Sequence, residues 1–243
     1  MNYDGLYQLV KQRRSVRSFK ADPLPDEYIT KIIDLARWSP SGFNLQPWEF
    51  IVIKDQKIKD SIVNIVLEGR NSNMAMEITR ETWQGTKWKP LGNELEDFST
   101  APVFILMGGD KRTKDGLPMI LRYDNRRGES TFNSGLASAF LYMHLAATTL
   151  GLGSQWVSQI GEPKTASLLG KLLGLPRYIE LYDMMAVGYP SQKPRQKLLR
   201  KDRKMIYHDY CGEKDFRTNA EVRDFIRRIR TWTIAMHHRH ASQ

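Results

Sequence analysis

The chain has 243 residues, 41% hydrophobic and 10% aromatic, with 17 glycines and 11 prolines. That is apolar matter enough for a sizeable core, which excludes a disordered chain and a low-complexity repeat, and the length fits one large domain or two small ones. A single cysteine, Cys211, excludes an internal disulfide, and the net charge of +10, from 37 Lys and Arg against 27 Asp and Glu, points to an anionic partner such as nucleic acid, a membrane surface or a phosphorylated cofactor.

Asp4–Arg14 reads as a short helix with Leu6, Leu9 and Val10 on one face. Pro23, Pro25 and Asp26 form a helix start, because proline suits the first turn and acids favour its positive end. Ile29, Ile32, Ile33 and Ala36 continue that helix, which stops before Ser39-Pro40-Ser41-Gly42. Trp48–Lys54 reads as a strand, Ile58–Leu67 as a helix, and Ala101–Gly108 as a second, buried strand. Thr131–Leu150 gives the strongest helix signal; apolar on most of its circumference, it is expected to be central or at a subunit interface, with Gly151 as its stop. Pro163–Leu173 is a further helix, Tyr182–Gly188 a third strand, and Asn219–Thr233 a late helix with a basic face. The elements alternate, so the class is mixed α and β, and with no repeat and no linker a single domain over residues 1–243 is expected.

Three constellations can carry chemistry. Arg13-Arg14-Ser15-Val16-Arg17 places three guanidiniums and a hydroxyl within five residues, and guanidinium forks match phosphate oxygens. In an extended segment Arg13, Ser15 and Arg17 share one face and Arg14 takes the other. Ser39–Trp48 (SPSGFNLQPW) combines turn formers, amides and hydroxyls directly before a strand, a composition suited to hydrogen bonding a flat polar ring. Gly188-Tyr189-Pro190 leaves the third strand and leads to Lys193 and Arg195, a cation pair able to close on a phosphate. Taken one at a time, these are a basic turn and two ordinary loops.

Their order and spacing together resemble the FMN-dependent nitroreductase family. RRSVRSF resembles its N-terminal phosphate motif, SPSGFNLQPWEF its second motif, LGLGSQW the segment that passes the flavin's central ring, and GYPSQKPR its C-terminal phosphate motif, over roughly residues 5–200. The resemblance implies an α+β fold, an α-β-α sandwich around a mostly antiparallel sheet, in an interlocked homodimer with FMN at the interface. It implies that Arg13, Arg14, Ser15 and Arg17 contact FMN, with Arg13 on the phosphate and Arg17 near the pyrimidine edge, and that Lys193 and Arg195 complete the phosphate cage. Pro40, Ser41, Gly42 and Asn44 would reach the flavin from the partner subunit, Val157 and Ser158 would present a backbone N–H near flavin N5, and Asn93 matches a flavin-binding Asn. No side chain is required as an acid or base, because the flavin N5 is the reactive centre; Arg17 is the electrostatic support for charge developing near N1, a contribution of about 3 kcal/mol. The activity implied is hydride transfer from NADH or NADPH, in a ping-pong cycle, to a nitroaromatic, a quinone or a similar small flat acceptor.

The sequence departs from the family pattern in places. Gln155-Trp156 is bulkier than the small residues expected there, and Glu96 stands where some members carry a cation. Residues 83–92 and the extension after about residue 200 match no motif; Trp83 and Trp88 are candidates for the substrate mouth. Reductive dehalogenation and flavin fragmentation are rival uses of the fold. Arg223, Arg227, Arg228 and Arg230 motivate a rival of another class, a basic nucleic-acid-binding module, yet no nucleic-acid motif accompanies them, and no nucleic-acid partner is expected. His237-His238-Arg239-His240 has no carboxylate beside it and is read as a solvated tail rather than a metal site, and His144 as a satisfied core histidine. Lys11, Arg13 and Arg14 near the start have no apolar run behind them, and no stretch approaches the ~20 residues of a membrane span, so a cytoplasmic protein without a membrane partner is expected.

Overall fold

In the computed structural model, residues 2–79, 98–192, 206–209 and 211–238 are described, 73–79 and 229–238 as backbone only. They divide into two compact units, the first made of 2–79 with 98–192 and the second of 206–209 with 211–238.

The first unit contains helices α1 (Tyr3–Gln12), α2 (Asp26–Ala36), α3 (Gln56–Thr79), α4 (Met119–Arg122), α5 (Asn125–Thr149) and α6 (Pro163–Leu173). Its strands are β1 (Trp48–Ile53), β2 (Val103–Asp110), β3 (Gly153–Val157) and β4 (Ile179–Gly188). They form one antiparallel sheet in the order β1-β2-β4-β3. The central strand β2 is without polar side chains and buried along Val103–Gly109, as a strand covered on both faces must be, and ends on Asp110. Alternation splits its side chains between two cores. Val103, Ile105 and Met107 pack with Phe132, Leu136, Phe140 and Met143 of α5 and Ile32 of α2. Phe104 and Leu106 pack with Ile62 and Val66 of α3 and Leu169 of α6. The result is a helix, sheet, helix sandwich, the architecture that the family resemblance implies.

α5 packs on the sheet through its apolar side, but Asn133, Ser134 and Leu141 face outward, so the helix is not buried on most sides in one chain. The second unit holds α7 (Asn219–His238), entered through a turn in which Tyr207 packs on Phe216 at 4.8 Å between ring centres.

Candidate functional site

The arginine-rich segment runs extended along the ends of the sheet. Val16 donates its N–H to the Ser154 carbonyl (3.0 Å), and Lys20 donates to the Tyr189 carbonyl (2.8 Å). Val16 is buried while Ser15 and Arg17 are exposed, the alternation expected of an extended segment. Val16 can lie this close to β3 because position 153 is glycine: a Cβ there would stand 2.8 Å from the Val16 methyls.

The same segment meets the loop that follows β4. Ser191 donates its N–H to the Ser18 carbonyl (3.0 Å), and its hydroxyl lies 2.6 Å from that of Ser18. The first and third constellations are therefore joined, although 173 residues separate them in the chain. Lys193 and Arg195, which follow this junction, lie outside the described residues, as do Asn93, Trp83, Trp88 and Glu96.

Arg13, Arg14 and Arg17 have no carboxylate partner among the described residues. Arg13 is half-buried; its burial and the neighbouring Arg14 charge both disfavour its protonated form. A crowded set of uncompensated guanidiniums fits a phosphate, which satisfies several of them at once.

The second constellation adopts a backbone that only a tightly held loop keeps. Phe43 (φ 56°), Asn44 (φ 55°) and Gln46 (φ 45°) all lie in the left-handed region. Each such residue costs on the order of 1 kcal/mol or more, and such strain concentrates at ligand-binding sites. The Gln46 N–H donates to the Ser41 hydroxyl (3.0 Å) and the Gln46 side-chain amide to the Asn44 side-chain oxygen (3.1 Å). The loop rests on the first half of α5: a Cβ at Gly42 would stand 2.3 Å from the Thr131 methyl, and one at Gly135 3.1 Å from Ser41 Cβ. Pro40 is exposed just ahead of it, and the Ser39 hydroxyl is buried without a hydrogen-bond partner among the described residues.

The other half of α5 carries His144 beside β3. His144 Nδ1 and the Ser154 hydroxyl lie 2.7 Å apart, and the ring stacks on Trp156 at 5.4 Å and 9°. Burial, with the Arg13 charge adding to it, pushes its pKa down to about 3, so the ring is neutral. The sequence reading of a satisfied core histidine is half correct: His144 is 2% exposed, but Nε2 has no partner among the described residues. Trp156 Nε1 donates to Asp183 (2.5 Å). Asp183 is 7% exposed, and burial, partly offset by the indole bond, raises its pKa to about 6. Neither Asp183 nor its bond to Trp156 was visible in the sequence, since no motif links positions 156 and 183. Val157 ends β3 as a buried residue, and Ser158 opens the exposed turn after it.

The two groups of predicted residues thus lie over opposite halves of one helix. Thr131 and Gly135, under the SPSG loop, precede His144, under the arginine segment, by 13 and 9 residues, about 20 and 14 Å at 1.5 Å per residue. Within one chain the two groups are thus offset along α5.

Elsewhere, a cleft of about 250 Å³ lined by Glu49, Asp110, Arg112 and Tyr178 contains none of the predicted site residues. Among the described residues no group of His, Cys, Asp and Glu is placed to hold a metal, and no helix is long and apolar enough to cross a membrane. Cys211 is exposed, and the side chains of His237, His238 and Arg230 and all of Arg239 and His240 lie outside the described residues.

Comparison with known proteins bears on this geometry. The sequence signature of the Nitroreductase family matches residues 10–189. Iodotyrosine deiodinase 1 of Rattus norvegicus is 29% identical over 205 residues, covering 79% of this chain and 64% of that protein, so the chain spans under two thirds of that relative's length. A Methanothermobacter thermautotrophicus protein provisionally named as an NADH dehydrogenase/NAD(P)H nitroreductase is 25% identical over 187 residues, covering 77% of this chain and 78% of that one. The solved structure of the nitroreductase CinD of Lactococcus lactis in complex with chloramphenicol superposes with a TM-score of 0.67 over 84% of this chain and 100% of that chain; at 17% identity this is a likeness of fold.

Proposed function

This chain belongs to the nitroreductase family of oxidoreductases, and from that premise we propose that it binds FMN between two copies of itself and uses NADH or NADPH to reduce a small flat aromatic acceptor. The observation that carries the reading is the junction of Ser18 with Ser191, which sets the start of the GYPSQKPR motif against the arginine segment.

When bound, FMN supplies the two-electron chemistry; the chain supplies position and field. Arg13 holds the phosphate by charge-assisted hydrogen bonds, with Lys193 and Arg195 closing the cage, and Arg14 and Ser15 belong to the same grip. Arg17, exposed and without a carboxylate partner among the described residues, favours negative charge on the pyrimidine side. The backbone at Val157 and Ser158 would present an N–H to the central ring. Pro40, Ser41, Gly42 and Asn44 come from the partner copy. The separation of about 14–20 Å along α5 supports this division, since a two-fold axis across paired helices sets the first half of one beside the second half of the other.

A second reading is reductive dehalogenation, favoured by the deiodinase relatives. Both readings are tested by one anaerobic experiment with flavin-loaded protein. NADH or NADPH should bleach the flavin band, and a nitroaromatic should restore it. Restoration by an iodinated tyrosine, with release of iodide, assigns the second reading instead; no bleaching by either nucleotide overturns NAD(P)H as donor for both.

A further inference from the structure

Trp156 is the exposed residue of an otherwise buried edge strand, with 39% of its surface accessible. Exposed tryptophans are commonly free to change rotamer, but this one is fixed on several sides. Its Nε1 donates to Asp183 (2.5 Å). One ring face lies parallel to His144, and Phe140 meets the ring edge-on at 4.5 Å. His144 is itself held by Ser154, two residues earlier on the same strand.

Holding the ring this way is unfavourable for its supports. Asp183 is a buried carboxyl whose hydrogen bond among the described residues is the one to Trp156, and burial disfavours its ionised form. His144 leaves Nε2 buried and unpartnered among the described residues. A tryptophan that only filled space would need neither polar support. Groups locked by hydrogen bonds from behind while presenting one free face are how proteins preorganise a contact surface.

The position agrees with such a role. Val157 and Ser158 follow directly, and the Ser154 carbonyl, two residues before Trp156, anchors the arginine segment. The indole face is electron-rich and stacks best on a flat, electron-poor ring. Resting on the reading above, we propose that Trp156 is a preorganised stacking platform for a flat electron-poor ring bound in this site, and that Asp183 is the positioning residue that fixes its indole. Two rings of that chemistry visit such a site, the isoalloxazine itself and the aromatic acceptor.

The test is a pair of titrations on full-length protein: FMN into apoprotein, followed by fluorescence quenching, and 4-nitrobenzoate into flavin-loaded protein, followed by perturbation of the flavin band. If the platform serves the flavin, Trp156→Leu raises the Kd for FMN at least tenfold. If it serves the acceptor, Trp156→Leu leaves FMN binding unchanged and raises the Kd for 4-nitrobenzoate at least tenfold. In either case Trp156→Phe stays within about threefold of wild type. Asp183→Leu shifts the same Kd in the same direction although Trp156 is intact, and Asp183→Asn, whose amide oxygen still accepts the indole N–H, restores it. Wild-type affinities for both ligands in folded Trp156→Leu overturn the platform while leaving the flavin reading intact. Loss of binding that coincides with dissociation in sedimentation assigns the exposed face to the partner copy and overturns it too. Wild-type protein that takes up no FMN overturns the reading and the platform with it.

Discussion

Burial acts on Asp183 and His144 with opposite sign, and stability against pH records both. Asp183 has its pKa raised from 3.8 to about 6, so the folded chain holds a proton there that the unfolded chain has released, and stability is lost as pH rises from about 4 through 6. His144 has its pKa lowered from 6.5 to about 3, so the unfolded chain holds the extra proton, and stability is lost as pH falls below 6.5. Between about pH 4 and 6 the two slopes oppose each other. Asp183→Asn therefore unmasks the histidine, and urea unfolding of that variant should show stability falling by roughly 1.4 kcal/mol per unit of acidification below pH 6.5. His144→Leu unmasks the carboxyl and should show the reverse trend over pH 4–6. Identical pH profiles for wild type and both variants would contradict the assignment. At Arg17 the expectation is kinetic: Arg17→Ala should slow anaerobic flavin bleaching about 10²-fold. An unchanged rate would show that Arg17 does not face the developing charge.

At the scale of elements, α5 underlies both halves of the proposed site, and two glycines let their segments approach. Gly153→Ala pushes a methyl into Val16, and Gly42→Ala pushes one into the Thr131 methyl. Each should cost about 1–3 kcal/mol and weaken flavin uptake by loosening one half of the site. Thr131→Ser removes the opposing methyl and should recover most of the Gly42→Ala loss, read as a double-mutant cycle in thermal unfolding. Additive losses would place the strain elsewhere. These elements were unequally legible in the sequence. β1, β2 and α6 were readable because apolar or periodic runs stand between Gly and Pro punctuation, and α6 was located to the residue. α3 continues to Thr79, past the predicted end at Leu67, and Gly69 inside it marks a close approach to Thr165, where a Cβ would stand 2.6 Å from the hydroxyl. β3 was recognised as a motif but not as a strand. Five residues beginning Gly-Ser-Gln have little strand propensity, and its pairing with β4 makes it one. The motifs point to a meeting of the Ser18 and Ser191 segments, which the hydrogen bonds there show; they give no sign of the Trp156–Asp183 bond, which depends on the register of β3 against β4.

At the scale of the whole molecule, a single chain leaves much apolar surface uncovered. Tyr3, Leu6, Tyr7 and Val10 lie along one stripe of α1, and Tyr3 is 77% and Trp38 84% exposed. Such surface marks an interaction site, and with the proposed site divided between the halves of α5 it supports the proposed homodimer. Sedimentation should give about twice the 28.2 kDa chain mass, and a flavin-loaded monomer would contradict a shared site. The central claim is that Arg13 and its neighbours, beside the loop that the Ser18–Ser191 junction fixes, hold the phosphate of FMN. It is tested most directly by titrating FMN into wild-type apoprotein and the Arg13→Ala variant. The account predicts one FMN per chain, and an affinity lowered about 10- to 100-fold in the variant. No uptake by the wild type, or equal affinity in the two proteins, would contradict it.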